Sequence, residues 1–156
     1  MESEIFDEIR QLFHYLFDEY GFALAIEQRF ESFGNWVVVL RSDKCGRIRI
    51  MQDRGEVFLA LGPQWSPVSW DVGPWYSLDV VVRYLSDGHD RFESTLGQTE
   101  QQIERLAEQL RRYVSPACEL FQKDMFEEKR GELDALRQKV EDEVWERLLG
   151  KGQSPQ

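Results

Sequence analysis

Apolar residues in the first twenty positions recur every three or four residues, which is the spacing of one helix face. Ser3 is placed to cap this helix, and Gly21 follows Tyr20 where a helix-terminating glycine is expected. The stripe comprises Ile5, Phe6, Ile9, Leu12, Phe13, Leu16, Phe17 and Tyr20. The pattern therefore predicts one amphipathic helix from Ser3 to Tyr20 with a buried face.

The pattern then changes to the alternation that is typical of β-strands. Residues 22–27 alternate, with Phe22, Leu24 and Ile26 on one face, and "NWVVVLRS" is more continuously apolar, as in a central strand. The turn "QDRG" separates two further alternating runs, which predicts a hairpin of Arg47–Met51 against Glu56–Leu61. Because the connections are short, we expect four strands in an antiparallel meander.

Helical spacing returns in the second half of the chain. Ser77 is placed to cap a helix in "SLDVVVRYLSDG", and Thr99 to Gln102 match a capping box. Pro116 is placed to begin a new helix, and Gly131 is expected to break or kink the last one. The last helix carries a narrow apolar stripe, formed by Leu133, Leu136, Val140, Val144 and Leu148.

These elements predict an α+β fold, with an N-terminal helix, a four-stranded antiparallel meander and a Trp/Pro-rich loop. Three to four helices follow, packed mainly on one face of the sheet. We expect a single domain over residues 1–150 and a disordered tail over 151–156.

The loop "GPQWSPVSWDVGPWYSLD" concentrates three tryptophans and three prolines. One reading is a lid whose indoles are buried in the core, and the other is a rigid surface that holds a partner. Trp75 and Tyr76 directly precede the predicted Ser77 cap, which favours burial for that pair. Trp65 and Trp70 are then the better candidates for contact with another molecule, and a small-ligand pocket with aromatic walls is a third reading.

Charge separates the sheet from the helices. The net charge is −10, with acids dense near the N-terminus and in the last helices. The strand region instead carries Arg29, Arg41, Arg47, Arg49 and Arg54. These arginines predict either a simply solvated sheet face or a basic surface for a protein partner. Nucleic acid is an unlikely partner, since the net charge repels phosphates.

Motifs for catalysis are missing from the sequence: it has no GxGxxG, P-loop or GxSxG. His14 lies at the edge of a helix stripe, and His89 lies in the polar turn "SDGHDR", which is weak evidence for a metal. Cys45 and Cys118 are far apart, with no metal-type spacing, and we expect two free thiols. We therefore predict a non-enzymatic protein without a cofactor or a metal.

The N-terminal sequence "MESEIFDEIRQLF" lacks the basic and apolar regions of a signal peptide. No apolar run approaches the length needed to cross a bilayer. We accordingly predict a cytoplasmic location and no membrane partner.

Two stretches, "GNWVVVLRSDKCGRIRIMQDRGEVFLALGP" and "WYSLDVVVRYL", follow an opening amphipathic helix. Together they resemble the small α+β immunity proteins of bacterial polymorphic toxin systems, over roughly Ile5 to Leu85. The resemblance implies a cytosolic protein that blocks a toxin domain by direct contact, and it implies no catalytic residues. An acidic protein of this kind suits a basic toxin.

The leading prediction is therefore a protein-binding module, with a basic toxin domain as the specific partner. The alternatives are a homo-oligomer, such as a homodimer, joined through the C-terminal helices, and a small-ligand-binding domain. The residues predicted to form the interface are Trp65, Trp70, Arg47, Arg49, Arg54 and Asp71.

Overall fold

The chain folds into one antiparallel sheet with its helices gathered on one side, as a computed structural model describes for residues 4–31, 34–67, 74–92 and 97–150. The strands are β1 (Ala23–Arg29), β2 (Trp36–Ser42), β3 (Gly46–Asp53), β4 (Glu56–Gly62) and β5 (Tyr76–Ser77). The helices are α1 (Glu4–Leu12), α2 (His14–Glu19), α3 (Leu78–Leu85), α4 (Thr99–Leu120) and α5 (Lys123–Gly150). This arrangement confirms the predicted α+β class.

The predicted meander is present and is extended by one strand. β1 to β4 pair in chain order, and the β3–β4 hairpin turns at Arg54 and Gly55, which both have positive φ. β5 pairs Tyr76 with Leu61 of β4, inside the loop that we expected to contain no strand. A strand of two residues is too short to show alternation, so the prediction of four strands was one too few.

Phe22, Leu24 and Ile26, which we expected on one face of a strand, do not all lie on the same side of the sheet. Phe22 is buried in the main core, and Leu24 pairs with Leu40 on the same side of the sheet. A bulge between Leu24 and Ile26 then turns Ile26 to the opposite side, where it pairs with Val39. The added residue reverses the alternation.

The first predicted helix is interrupted at Phe13, which separates α1 from α2 and is fully buried. The backbone of Phe13 has φ −105° and ψ 29°, outside the helical range. Gly21 has φ +69° and follows the end of α2 as expected. The predicted Ser3 cap lies outside the described residues.

The helix starts are partly as predicted. Ser77 caps α3, since its side chain accepts a hydrogen bond from the Val80 amide. At α4 the capping box joins Gln98 and Gln101, one residue earlier than the predicted Thr99 box. Gln102, which we expected to belong to the box, is buried, and its side-chain carbonyl accepts a hydrogen bond from the Val57 amide of β4.

The predicted helix start at Pro116 and the predicted interruption at Gly131 are both wrong. α4 runs through Pro116 and ends at Leu120, and α5 runs through Gly131. Apolar residues continue to pack into the core beyond both positions, as Leu120 and Leu133 show. Tertiary packing therefore outweighs the weak local preference. The predicted tail at 151–156 lies outside the described residues.

The main core lies between the inner face of the sheet and the helices. Tyr15 of α2 reaches across it, and its hydroxyl donates a 2.6 Å hydrogen bond to the Ala107 carbonyl of α4. The sheet contributes Trp36, Val38, Leu40, Ile48, Ile50, Val57, Leu59 and Leu61. On the outer face a smaller cluster joins Val37, Val39, Ala60 and Trp75. Among the described residues, no helix is both long enough and apolar enough to span a membrane.

Cys45 and Cys118 form a disulfide, so the prediction of two free thiols is wrong. Cys45 follows β2 in a turn, and Cys118 lies in the last turn of α4, 73 residues further along the chain. Folding brings their Cα atoms to 4.1 Å. Sequence spacing carries no sign of this approach, because it depends on how α4 crosses the sheet.

Candidate functional site

Trp65 is the most exposed aromatic side chain among the described residues of the proline-rich loop. It is 51% exposed, whereas Trp75 is 7% exposed, as the sequence suggested for these two positions. The Trp65 ring packs edge-on against Phe126 of α5, with ring centroids 6.1 Å apart. The Arg130 guanidinium lies 5.2 Å from the Trp65 ring centroid, a cation–π distance. One side of the Trp65 ring is therefore held against α5, and about half of its surface is exposed.

The residues on both sides of Trp65 anchor the loop. The Gln64 amide donates to the Ser42 carbonyl at the end of β2. Ser66 is fully buried, and its hydroxyl donates to the Pro74 carbonyl at 2.9 Å. The Ser66 amide also donates to the Pro63 carbonyl at 3.0 Å. These bonds hold the residues on either side of Trp65 in place.

Glycine makes this tight loop path possible. Gly46 has φ +89°, and a Cβ there would meet the backbone carbonyl of Gly62. A Cβ on Gly62 would in turn meet the Ser66 hydroxyl and the Pro74 carbonyl. The end of β4 and the loop therefore approach each other too closely for any larger residue at these positions.

Trp75 and Tyr76 are structural, as predicted. The Trp75 indole donates to the Pro67 carbonyl at 2.8 Å, and Arg137 of α5 donates to the Trp75 carbonyl at 3.1 Å. Tyr76 is fully buried, and its hydroxyl donates to Asp134. Burial raises the pKa of Tyr76, and the hydrogen bond to Asp134 raises it further. This pair connects the loop to α5.

The three arginines proposed for the interface do not form one surface. Arg47 donates to the Ser66 carbonyl at 2.9 Å, which makes it part of the loop anchor. Arg49 is 7% exposed and lies over the Trp75 ring, 4.7 Å from its centroid. Arg54 is exposed in the β3–β4 turn, beside Asp53. The expected solvated arginine face is therefore wrong at Arg49, because Trp75 covers that part of the sheet.

Two further predicted interface residues, Trp70 and Asp71, lie outside the described residues. The side chains that support Trp65 come instead from α5, which the sequence pattern does not connect with the loop. Phe126 and Arg130 are spaced i, i+4, which places both on one side of a helix. That spacing was the available signal, but it did not reveal which loop the two residues would meet.

A groove of about 640 Å³ lies between the outer face of the sheet and α5. Arg49, Met51 and Phe58 contribute to it from the sheet, and Arg137 and Glu141 from the helix. Trp75 is the aromatic residue that the loop contributes, while Trp65 is not part of its lining. The groove therefore gives the small-ligand alternative a location but no role for Trp65.

The two histidines considered as candidate functional residues are both exposed. His14 is exposed, and its Nδ1 lies 3.7 Å from the Asp18 carboxylate. His89 is exposed in the turn after α3. Over the described ranges, no three His, Cys, Asp or Glu side chains are grouped so that they could hold a metal ion.

Comparison with known proteins gave no match: no family model fits the chain, and neither the curated proteins nor the solved structures include a similar one. The resemblance to immunity proteins therefore stays a prediction.

Proposed function

We propose that this chain is a non-enzymatic protein-binding module whose contact surface is centred on Trp65. The observation that carries the proposal is a half-exposed tryptophan whose two neighbours in the chain, Gln64 and Ser66, are both anchored. Tryptophan is among the residues that dominate binding energy at protein interfaces. An anchored loop loses little conformational entropy on binding, so more of the contact energy appears as affinity.

The overall charge of the chain, rather than the groups that touch Trp65, favours a partner with basic groups. Glu127 and Asp134 lie three residues before and four residues after Arg130, on the same side of α5. Asp134 is paired with Arg130 at 3.8 Å and with Arg137 at 3.3 Å, so Glu127 is the acid of this pair that remains for a partner. With a net charge of −10, the chain attracts positively charged proteins over longer distances.

The specific function that we propose is that of an immunity protein, which holds a basic toxin domain and blocks its action. The resemblance over Ile5 to Leu85 motivates this choice, and the acidic character is consistent with it. Carboxylates on such a protein would occupy basic sites that the toxin uses for its own substrate.

The proposed location is the cytoplasm, and the disulfide provides the test. A disulfide persists in oxidising compartments and is rare in the cytosol. Cells are therefore treated with a thiol-trapping reagent before lysis, and the mass of the protein is measured. Two alkylated cysteines, Cys45 and Cys118, support the cytoplasm, whereas an intact bridge places the protein in an oxidising compartment.

The proposed function is tested by co-expression with the proteins encoded beside its gene. If one neighbour is toxic to cells, we expect the wild-type chain to restore growth and Trp65→Ala to restore it poorly. Leu24→Ala is the matched control, since Leu24 is an exposed apolar residue on β1. Absence of rescue by the wild-type chain would remove the immunity function.

A further inference from the structure

The last turns of α5 expose four large apolar side chains, which form what we call the terminal patch. Val144, Trp145, Leu148 and Leu149 are 44%, 61%, 64% and 54% exposed. Their i, i+1, i+4 and i+5 spacing places them on one broad face of the helix. Earlier in the same helix the stripe is used internally, because Leu133 is fully buried and Val140 packs against the core. The terminal patch therefore continues a core stripe past the point where the core ends.

The terminal patch is separate from the Trp65 surface. Arg130, which contacts Trp65, precedes Trp145 by fifteen residues, which is roughly 22 Å along a helix. The exposed apolar area is on the order of a few hundred Å², which is the size of the largest apolar patch on a typical monomer, and such a patch is often functional. The packing of the domain gives no reason for four such side chains to face water.

A recess opens beside the patch and shares Val144 as a wall. It has a volume of about 310 Å³ and lies between α5 and the body of the protein. The apolar part of its lining comes from Phe58, Leu59, Leu78, Phe92, Leu106 and Val140, and the polar part from Ser77, Asp79, Arg83, Arg91 and Arg147. Arg83 and Arg91 both pair with Glu143. A helix that packs on Val144 and Leu148 could place an apolar side chain in this recess, as in helix-in-groove recognition.

Two occupants could cover the terminal patch: a second copy of this chain, or a helix of another protein. The charges beside the patch distinguish between them. The side of the helix that carries Trp145 and Leu149 also carries Asp142 and Glu146, both exposed, and Glu141 is exposed one turn before Trp145. In a two-fold dimer the same surface faces itself, so this excess of carboxylates, which the exposed Arg147 only partly offsets, would meet the same excess on the second copy. Like charges in an interface cost affinity, whereas a basic partner would be attracted.

We propose that the terminal patch and its recess dock a basic amphipathic helix of another protein. Apolar side chains of that helix cover Trp145 and Leu148, and one of them enters the recess beside Val144. Lysines or arginines on its flanks face Asp142 and Glu146. The proposal does not depend on the Trp65 surface and would stand if that surface had no partner.

The test uses a short synthetic amphipathic helix of leucine and lysine, labelled with a fluorophore and titrated with the full chain at physiological salt. We expect saturable binding of one peptide per chain. The double substitution Trp145→Ala/Leu148→Ala should weaken binding about tenfold or more, since it removes two anchors. Trp65→Ala should leave the affinity within about twofold, which separates this site from the proposed function.

Two controls address charge and self-association. A peptide with glutamate in place of lysine should bind at least about tenfold more weakly, because its charges oppose Asp142 and Glu146. Circular dichroism should show that the double variant is folded, since both side chains are exposed. Equal binding by wild type and double variant, or by both peptides, would overturn the proposal. Sedimentation showing a dimer that the double substitution dissociates would also overturn it, in favour of a second copy as the occupant.

Discussion

Reduction of the Cys45–Cys118 disulfide should lower the stability of this fold by a large amount. The bridge closes a loop of 73 residues between the turn after β2 and the end of α4. The chain-entropy relation for a loop of that length gives about 4 kcal/mol of stabilisation through the unfolded state. For a domain of this size, that corresponds to a melting temperature lower by roughly 8–16 °C.

The assay is thermal unfolding followed by circular dichroism, with and without a thiol reductant. The control is the double variant Cys45→Ala/Cys118→Ala, which should melt near the reduced wild type and should not respond to reductant. If oxidised and reduced wild type melted within about 2 °C of each other, the bridge would not restrain the unfolded chain as argued. Two titratable thiols in the purified protein after exposure to an oxidant would contradict the bridge itself.

Three further tests, all by urea denaturation, address other parts of the fold. Gln102→Ala should lower the free energy of unfolding by about 2 kcal/mol or more, because it leaves the buried Val57 amide of β4 without its 2.9 Å partner. Gln101→Ala in the exposed capping box is the control and should cost no more than about 1 kcal/mol. Equal effects of the two substitutions would refute the distinction. Gly46→Ala should destabilise the fold by at least about 1–2 kcal/mol, since the φ of Gly46 is +89° and a Cβ there would meet a backbone carbonyl. Gly131→Ala in α5 is the control: its Cβ would have open space, so it should stabilise the fold by about 0.5–1 kcal/mol. A Gly46→Ala variant as stable as wild type would contradict the close approach. A hydrogen bond from Arg83 of α3 lowers the pKa of Glu143. The Glu143 carboxylate therefore stabilises the fold at pH values above the usual glutamate pKa, and this stabilisation is lost as the pH falls through the lowered pKa. Glu143→Gln should therefore be less stable than wild type at neutral pH and equal to it in strong acid, and a difference independent of pH would count against the ion pair.

The parts of the fold that could be predicted from the sequence are those fixed by local patterns. Alternation in residues 47–51 and 56–61 located the hairpin, because side chains of a strand must face opposite sides of the sheet. Ser77 was correctly expected to cap α3, since the capping bond spans only three residues. The burial of Trp75 also followed from its place beside that cap.

The features that were missed depend on contacts between distant parts of the chain. Pro116 remains inside α4 because the residues after it pack into the core, which no local rule includes. The approach of Cys45 to Cys118 depends on how α4 crosses the sheet. For the same reason, the base of Trp65 on Phe126 and Arg130 could not be derived from the loop alone.

The central claim is that Trp65 is an anchor for a protein partner, and a calorimetric titration tests it most directly. The purified chain is titrated with a toxin domain encoded beside its gene, in parallel with Trp65→Ala and with Leu24→Ala as the exposed apolar control. An anchor of this kind contributes about 2 kcal/mol or more, so we expect Trp65→Ala to weaken binding roughly 30-fold or more and Leu24→Ala to leave it unchanged. Tight binding that is equally strong in wild type and Trp65→Ala would contradict the claim.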